Sequence, residues 1–494
     1  MITNLLLIFS IGLLSLSGEV QAQKALTLDK ALEFAEQNSP DMQKSLFNLE
    51  RFQQNLKAQK LALKSRFSLT LNPVEYSNNR RFDNRLSQWY TNESFSTSGT
   101  FRVDQPILPT DGTLSLINRF SWQDNSSKVG GQDNGNKAFS NNLYLSLNQP
   151  LFTYNKRKIE LKSLELDLEN ANIGYAMQRL NLEKSVTEQF YNVYMAQMNL
   201  DIANEELENA RANYEIIKNK VDAGLSAKEE LYQAELNYAN AKSTVQNRQV
   251  SMENTKDAFK NYIGMDILEE IVVLTDVSVD KVRIDLSEAI ASGLRSRMEI
   301  RQREIDMETS QFDLIKVKAM NEFKGEVNLS IGITGDNEKL ADIYENPTRN
   351  PKVSLSFNVP IFDWGEKKAR LKAQEASMKS RQLDFDQQKT KIVIDIRRVY
   401  RDIQNQLIQI DIAKQSVRNA ELTYEINKEK YQNGDLTGMQ LNQYQNQLSQ
   451  KKIAYSQALI NYKIQLLNMK VQTLYDYTEQ KAIVPQELYM YEVK

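Results

Sequence analysis

The 494-residue chain contains neither cysteine nor histidine. Without cysteine there can be no disulfide framework and no thiol nucleophile. Without either residue there is no zinc site built on sulfur or imidazole, and no imidazole base. Charge of one sign is lacking as well. The 62 Lys and Arg offset 64 Asp and Glu to a formal −2, with a pI near 5.8, so no basic field exists to hold nucleic acid. Acidic pairs such as Glu229-Glu230 and Glu269-Glu270 stand among charges spread along helical patterns, with no glycine-rich phosphate loop, so neither an enzyme nor a cofactor site is expected. Long apolar runs are also missing. The stretch from Leu5 to Leu16 is too short to cross a bilayer as a helix. Val20-Gln21-Ala22 follows as a small-residue cleavage signal, and residues 1–22 read as a secretory signal peptide, although no Lys or Arg precedes the apolar run. No cysteine at the cleavage point offers a lipid attachment site. No later segment approaches the ~18 apolar residues of a transmembrane helix. The hydrophobic content of 41% and mean hydropathy of −0.55 are low for one compact globule and suit long, partly exposed helices.

What the chain does have is a long repeat. Ile284-Asp285-Leu286-Ser287-Glu288-Ala289-Ile290 echoes Leu26-Thr27-Leu28-Asp29-Lys30-Ala31-Leu32. Val359-Pro360-Ile361-Phe362 echoes Gln149-Pro150-Leu151-Phe152, and Gly434 follows the later motif at the spacing by which Gly224 follows the earlier one. A repeat of this size predicts a duplicated unit around one axis. We read a first repeat over 23–283, a second over 284–475 and a tail over 476–494.

Within each repeat the periodicity changes from helix to strand and back. Leu164, Leu168, Ala171, Tyr175, Gln178 and Leu182 step three and four, a coiled-coil seam, and Val186 then adds a second step of four. Ile392 and Ile396 repeat that stutter, which locally relaxes a left-handed supercoil. A helix over 155–221 would be ~100 Å long, while its return over 226–263 reaches only ~57 Å. The helix 287–322, at ~54 Å, supplies the missing half. In the second copy the long helix 366–433 and short return 437–475 are completed by the helix 27–64. Four helical columns per chain follow.

Four stretches alternate with period two: 67–76, 141–150, 325–334 and 352–360. Leu143, Leu145 and Leu147 face one way while Tyr144, Ser146 and Asn148 face the other. Such alternation in an exported chain predicts outer-membrane barrel strands. Segment 95–122 is open between an added hairpin and an external loop. Four strands cannot close a barrel, and an open edge in lipid leaves backbone groups unpaired, so several copies are expected to share one barrel.

The order and lengths of these elements, with Leu26 to Leu32, Asn38-Ser39-Pro40, Gln149 to Phe152 and the two glycine turns, resemble the TolC outer-membrane efflux family over residues 27–475. The resemblance implies a fold that is mainly α with β-barrel strands, closed as a homotrimer around a 12-stranded barrel, with its helical tunnel in the periplasm. It implies a passive conduit for efflux or type I secretion. The partners would be outer-membrane lipid, a periplasmic adaptor (membrane fusion) protein and an inner-membrane pump of the RND, ABC or MFS type. By the same resemblance, Gly224, Leu225 and Ser226 with Gly434, Asp435, Leu436 and Thr437 form the adaptor-docking tip. Tyr431, Glu230, Gln440 and Gln443 fall at the periplasmic gate. Relatives carry acidic rings six and nine positions after the second glycine; here those positions are Gln440 and Gln443, and the nearby carboxylates are Glu230 and Asp435. The alternative is a periplasmic coiled-coil scaffold or adaptor without a pore. Such an adaptor would show one hairpin flanked by glycine-rich β-domains.

Overall fold

In the computed structural model, residues 24–84, 87–129, 132–275, 277–433 and 435–483 are described. The expected signal peptide, Gly434 and the end of the tail lie outside them. The chain opens with β1 (Lys24–Leu26), α1 (Leu28–Asn38) and α2 (Pro40–Ala62). Four long strands follow: β2 (Arg66–Asp83), β3 (Gln88–Ile107), β4 (Gly112–Val129) and β5 (Gln132–Leu151). Next come α3 (Lys156–Asp222), α4 (Lys228–Ile263), β6 (Ile271–Val273), α5 (Leu286–Ser296) and α6 (Met298–Lys318). The second half continues with β7 (Lys324–Asn337), β8 (Thr348–Arg349), β9 (Lys352–Asn358), α7 (Glu366–Gln432) and α8 (Gly438–Thr473). A two-stranded pair, β10 (Tyr475–Asp476) and β11 (Lys481–Ala482), closes the described chain.

The elements cluster into two compact units, each drawing on both halves of the chain. One comprises Met177–Gly293 and Ile394–Val484 with the N-terminal residues up to Lys44. It is helical, and its core is built on Val186, Phe190, Phe259, Ile403, Ile460 and Met469. Phe190 meets Phe259 edge to face at 6.2 Å, the favoured arrangement of two ring quadrupoles. Tyr462 is fully buried, and its hydroxyl accepts from Val282 N (3.0 Å) and donates to Asp280 O (3.3 Å), pinning the extended 280–282 segment.

The other unit, Ser45–Ala176 with Leu294–Val393, holds the sheet and the helix ends beside it. The seam of α3 packs here: Leu168 buries against Leu49 and Leu56 of α2, flanked by Phe52, Leu164 and Tyr175. All four stutter positions, Leu182, Val186, Ile392 and Ile396, are buried.

The helices expected over 27–64 and 287–322 are each two helices, broken at Ser39 and at Arg297. Proline at 40 explains the first break, because it has no N–H and disfavours helical backbone at the preceding residue, and Ser39 is extended (ψ 127°). Arg297 occupies the equivalent place without a following proline and is extended too (ψ 125°), its guanidinium paired with Glu299. Gly264 ends α4 with φ +79°, and a Cβ there would lie 2.2 Å from Asn38 O, so the bend after α1 and the end of α4 fit only with glycine.

Three of the expected strands lie within β2, β5 and β7, β9 ends two residues before the expected bound of the fourth, and together they are not the whole sheet. Segment 95–122 is a hairpin, and the antiparallel order is β2-β3-β4-β5-β7, with β8 and β9 both on the far side of β7. β8 and β9 follow one register along β7 and read as a single strand interrupted at Asn350-Pro351. Among the described residues this sheet therefore has six strands, not four. The sequence signal was weak because, beyond Phe95 and Trp122, the outer ends of β3 and β4 are mostly polar on both faces, with Asn92, Glu93, Asn125 and Ser126.

Two predictions follow from these junctions. Gly264→Ala adds both a left-handed strain and a clash, and is expected to destabilise by about 1–3 kcal/mol, read as a fall in thermal midpoint of the detergent-solubilised protein. The second concerns the Lys470 ammonium, 2.7 Å from Glu183 and 3.2 Å from Asp476. Burial opposes ionisation of Asp476, but the N–H groups of Glu479 and Thr478 and the Lys470 ammonium outweigh it and hold the carboxyl below its ordinary range. A depressed pKa stabilises above the unfolded value and is lost as pH falls through the folded one. Asp476→Asn is expected to lower thermal stability at pH 7, with the gap to wild type closing once the pH drops below about 3.9.

Candidate functional site

The pairing register decides what each face of the sheet carries. Leu69 opposes Phe101, Val103 opposes Leu116, Leu116 opposes Leu145, Leu145 opposes Ile331, and Leu329 opposes Val353. One face is therefore predominantly apolar across all six strands, interrupted by Asn118 between Phe101 and Leu143, and most of these side chains are exposed, Leu69 by 63% and Ile331 by 66%. A monomeric soluble sheet would bury such a face. The opposite face carries Ser68, Thr100, Ser115, Ser146, Ser330 and Ser354, with the charged Arg102 and Arg119.

Aromatic rings border the apolar face at both ends. Toward the hairpin tips, Phe95 meets Trp122 at 5.9 Å, and Phe139 lies beside Phe120 and Trp122. Toward the helices, Phe323 lies between Phe152 and Phe357, 5.3 Å from each, and Phe362 contacts Trp364, which is 90% exposed. The alternation pattern found the leucines and Phe357 but not the other rings, which lie beyond or between the strongest period-two stretches.

The β3–β4 turn is fastened to the start of α3. The Asp111 carboxylate accepts from Lys156 N (3.1 Å) and Arg157 N (3.4 Å), satisfying N–H groups that the first turn of a helix leaves free. The Arg157 guanidinium donates to Asp111 O (2.6 Å), Gly112 O (2.9 Å) and Thr113 Oγ1 (2.9 Å). Asn155 bridges the same two segments, accepting from Lys158 N and donating to Leu108 O.

In the helical unit, α3 and α7 end in equivalent turns. Leu225 N donates to Lys220 O (2.7 Å) and Gly224 N to Val221 O (2.9 Å), a Schellman closure with Gly224 at φ +73°. Asp435 N donates to Lys430 O (2.9 Å) in the same way, while Gly434 itself is not described. Leu225 projects 78% exposed from its turn. Ser226 Oγ donates to Glu230 Oε2 (3.0 Å). Thr437 and Gln440 form a capping box at the start of α8, so the Gln440 amide oxygen is held by Thr437 N and Oγ1, each at 3.0 Å. Leu436 and Tyr431 are half-buried, Tyr431 OH reaching Asn213 Oδ1 at 3.5 Å, and Gln443 is exposed. The expected gate residues thus divide: Glu230 and Gln440 join their own turns, Tyr431 reaches α3, and Gln443 is exposed. Gly438 was missed. A Cβ there would lie 2.3 Å from Asn213 Oδ1, so glycine lets α8 start against α3, and only its place one residue after Thr437 hinted at it.

Among the described residues no helix is long and apolar enough to cross a membrane, and no cluster of acidic residues could hold a metal ion. The family model for outer membrane efflux proteins matches residues 113–265 and 323–471. Protein CyaE of Bordetella pertussis is 21% identical over 270 residues, 53% of this chain and 56% of that protein, so the chain spans little more than half the length of this curated relative. The outer membrane channel CmeC of Campylobacter jejuni superposes with a TM-score of 0.70 at 15% identity, over 95% of this chain and 94% of that one. The outer membrane protein VceC of Vibrio cholerae gives 0.65 at 14% identity, over 90% and 95%. At these identities the likeness to solved structures is one of fold.

The two faces make a paired prediction. Leu145→Arg is expected to cost about 2–4 kcal/mol and to cut the folded yield in lipid, whereas Ser146→Arg on the other face is expected to be nearly neutral. Urea titration in detergent-lipid micelles would compare them; equal effects would remove the assignment of the apolar face to lipid.

Proposed function

The chain belongs to the outer membrane efflux protein family, and with it to the cell outer membrane, and from this we propose that it is the outer-membrane conduit of a tripartite efflux or type I secretion assembly. The observation that carries the reading is the exposed, mainly apolar face that extends over every strand of an antiparallel sheet whose other face is mainly polar. Lipid is the surrounding that such a face fits, and water in a pore suits the other. Tilted by ~40°, the stretch from Phe139 to Phe152 would climb roughly 33 Å, the spacing of aromatic girdles around a hydrocarbon core of about 30 Å. The free edges at β2 and β9 call for further copies, and the family resemblance supplies a homotrimer.

In this reading the turns at 224–226 and 434–437 are the periplasmic tip, where an adaptor protein docks and links the conduit to an inner-membrane pump. Glu230, Tyr431, Gln440 and Gln443 border the gate. No chemical step is assigned to the chain; the pump supplies the energy. Gly224 has no atom within 4 Å of where a Cβ would stand, so a side chain there meets open space and strains only the backbone. A scaffold without a pore would leave the apolar face without lipid, which makes it the weaker reading.

Cross-linking in native outer membranes is expected to trap a trimer, and detection of monomers alone would refute the conduit. Gly224→Val should strain its turn by about 1–2 kcal/mol and reduce efflux while the trimer still assembles. Full efflux by that variant would remove the tip assignment.

A further inference from the structure

We propose that the β3–β4 hairpin is barrel wall rather than an external loop, so that each copy contributes six strands and the trimeric barrel has eighteen. The inference rests on the conduit reading and deepens it.

Three observations place the hairpin in the wall. The first is the ladder: β2 pairs with β3 from Arg66 to Asp83, β3 with β4 from Tyr90 to Ile107, and β4 with β5 from Thr113 to Val129. β2 does not touch β5, so removing the hairpin would open a gap two strands wide in the sheet. The second is the face. Phe101, Val103, Leu114 and Leu116 continue the apolar surface between Leu69 and Leu145, and an external loop has no use for a lipid-matched stripe at that level. The third is the clamp of Asp111 and Arg157, which holds the β3–β4 turn at the sheet's helical end. Both strands therefore run the full height of the sheet, because their other ends lie at the tips.

The count also closes correctly. With six strands, β2 leaves α2 and the last strand returns to α7 in the opposite direction, so β2 of one copy meets β9 of the next antiparallel. At ~4.8 Å between strands and a tilt of ~40°, eighteen strands give a backbone diameter of roughly 36 Å, against roughly 24 Å for twelve. A wall of that width is no size filter, and passage would be limited elsewhere. Arg102 and Arg119, on the polar face of the hairpin, would then line the lumen.

Imaging of the full-length protein in lipid nanodiscs by electron cryo-microscopy is expected to show eighteen strands around a threefold axis. A trimer with twelve strands would overturn the inference and leave the conduit standing; no shared barrel would overturn both. A second measurement uses the absence of native cysteine. Single-cysteine variants Phe101→Cys and Leu116→Cys, carrying a fluorophore in proteoliposomes, are expected to be quenched by brominated acyl chains. Thr100→Cys and Ser115→Cys are expected to react with a membrane-impermeant maleimide and to escape that quenching. Equal water access at all four positions would put the hairpin outside the wall.

Discussion

A backbone N–H or C=O in hydrocarbon has no water to turn to, and this governs much of the molecule. The sheet satisfies its interior groups strand by strand, but β2 and the β8–β9 strand each present an unpaired edge. Among the described residues nothing covers the apolar face either, and Leu69, Phe101, Leu116, Leu145 and Ile331 stand exposed. In the proposed conduit, lipid on one side and neighbouring copies at two edges would resolve both deficits together.

The helices obey a different constraint. Beside the large apolar residues of the helical unit's core, such as Val186 and Phe190, small and polar ones are buried as well, among them Ala234, Gln445 and Ser449. Small residues allow the helices to approach closely. The stutter residues are buried where α3 and α7 pass from one compact unit to the other, within a few residues of Met177 and Ile394.

Much of this was legible in the residues. The 3-4 spacing from Leu164 to Leu182 and the glycines at 224 and 264 mark helices and their ends, because periodicity and left-handed backbone are local properties. The leucines of β5 and β7 announce their strands for the same reason. The β3–β4 hairpin was left open because its mostly polar outer ends carry no alternation, and only pairing with β2 and β5 settles it. The break at Ser39 was readable from Pro40, whereas the one at Arg297 was not, since no proline marks it. At the turns the sequence identified positions but not partners: that Gln440 would cap Thr437, and that Gly438 would meet Asn213, depends on how α8 starts against α3.

The prolines in the sheet have a bearing on how the wall is built in time. Pro73 sits at the irregularity between Asn72 and Glu75 in β2, and Pro351 interrupts the last strand, so both mid-strand prolines lie on the two edges. In β3 and β5 proline occurs only near the strand ends, at Pro106 and Pro150. A proline on an edge removes one donor and makes that edge a poorer template for stray pairing. An exported chain waiting in water is thereby less prone to stack with other unfolded chains. The hairpins between neighbouring strands close over short loops and form quickly, while joining of edges between copies depends on their concentration. In the proposed assembly, joining would thus wait until copies meet at the membrane, and the same two imperfect edges would be the seams along which the wall is weakest.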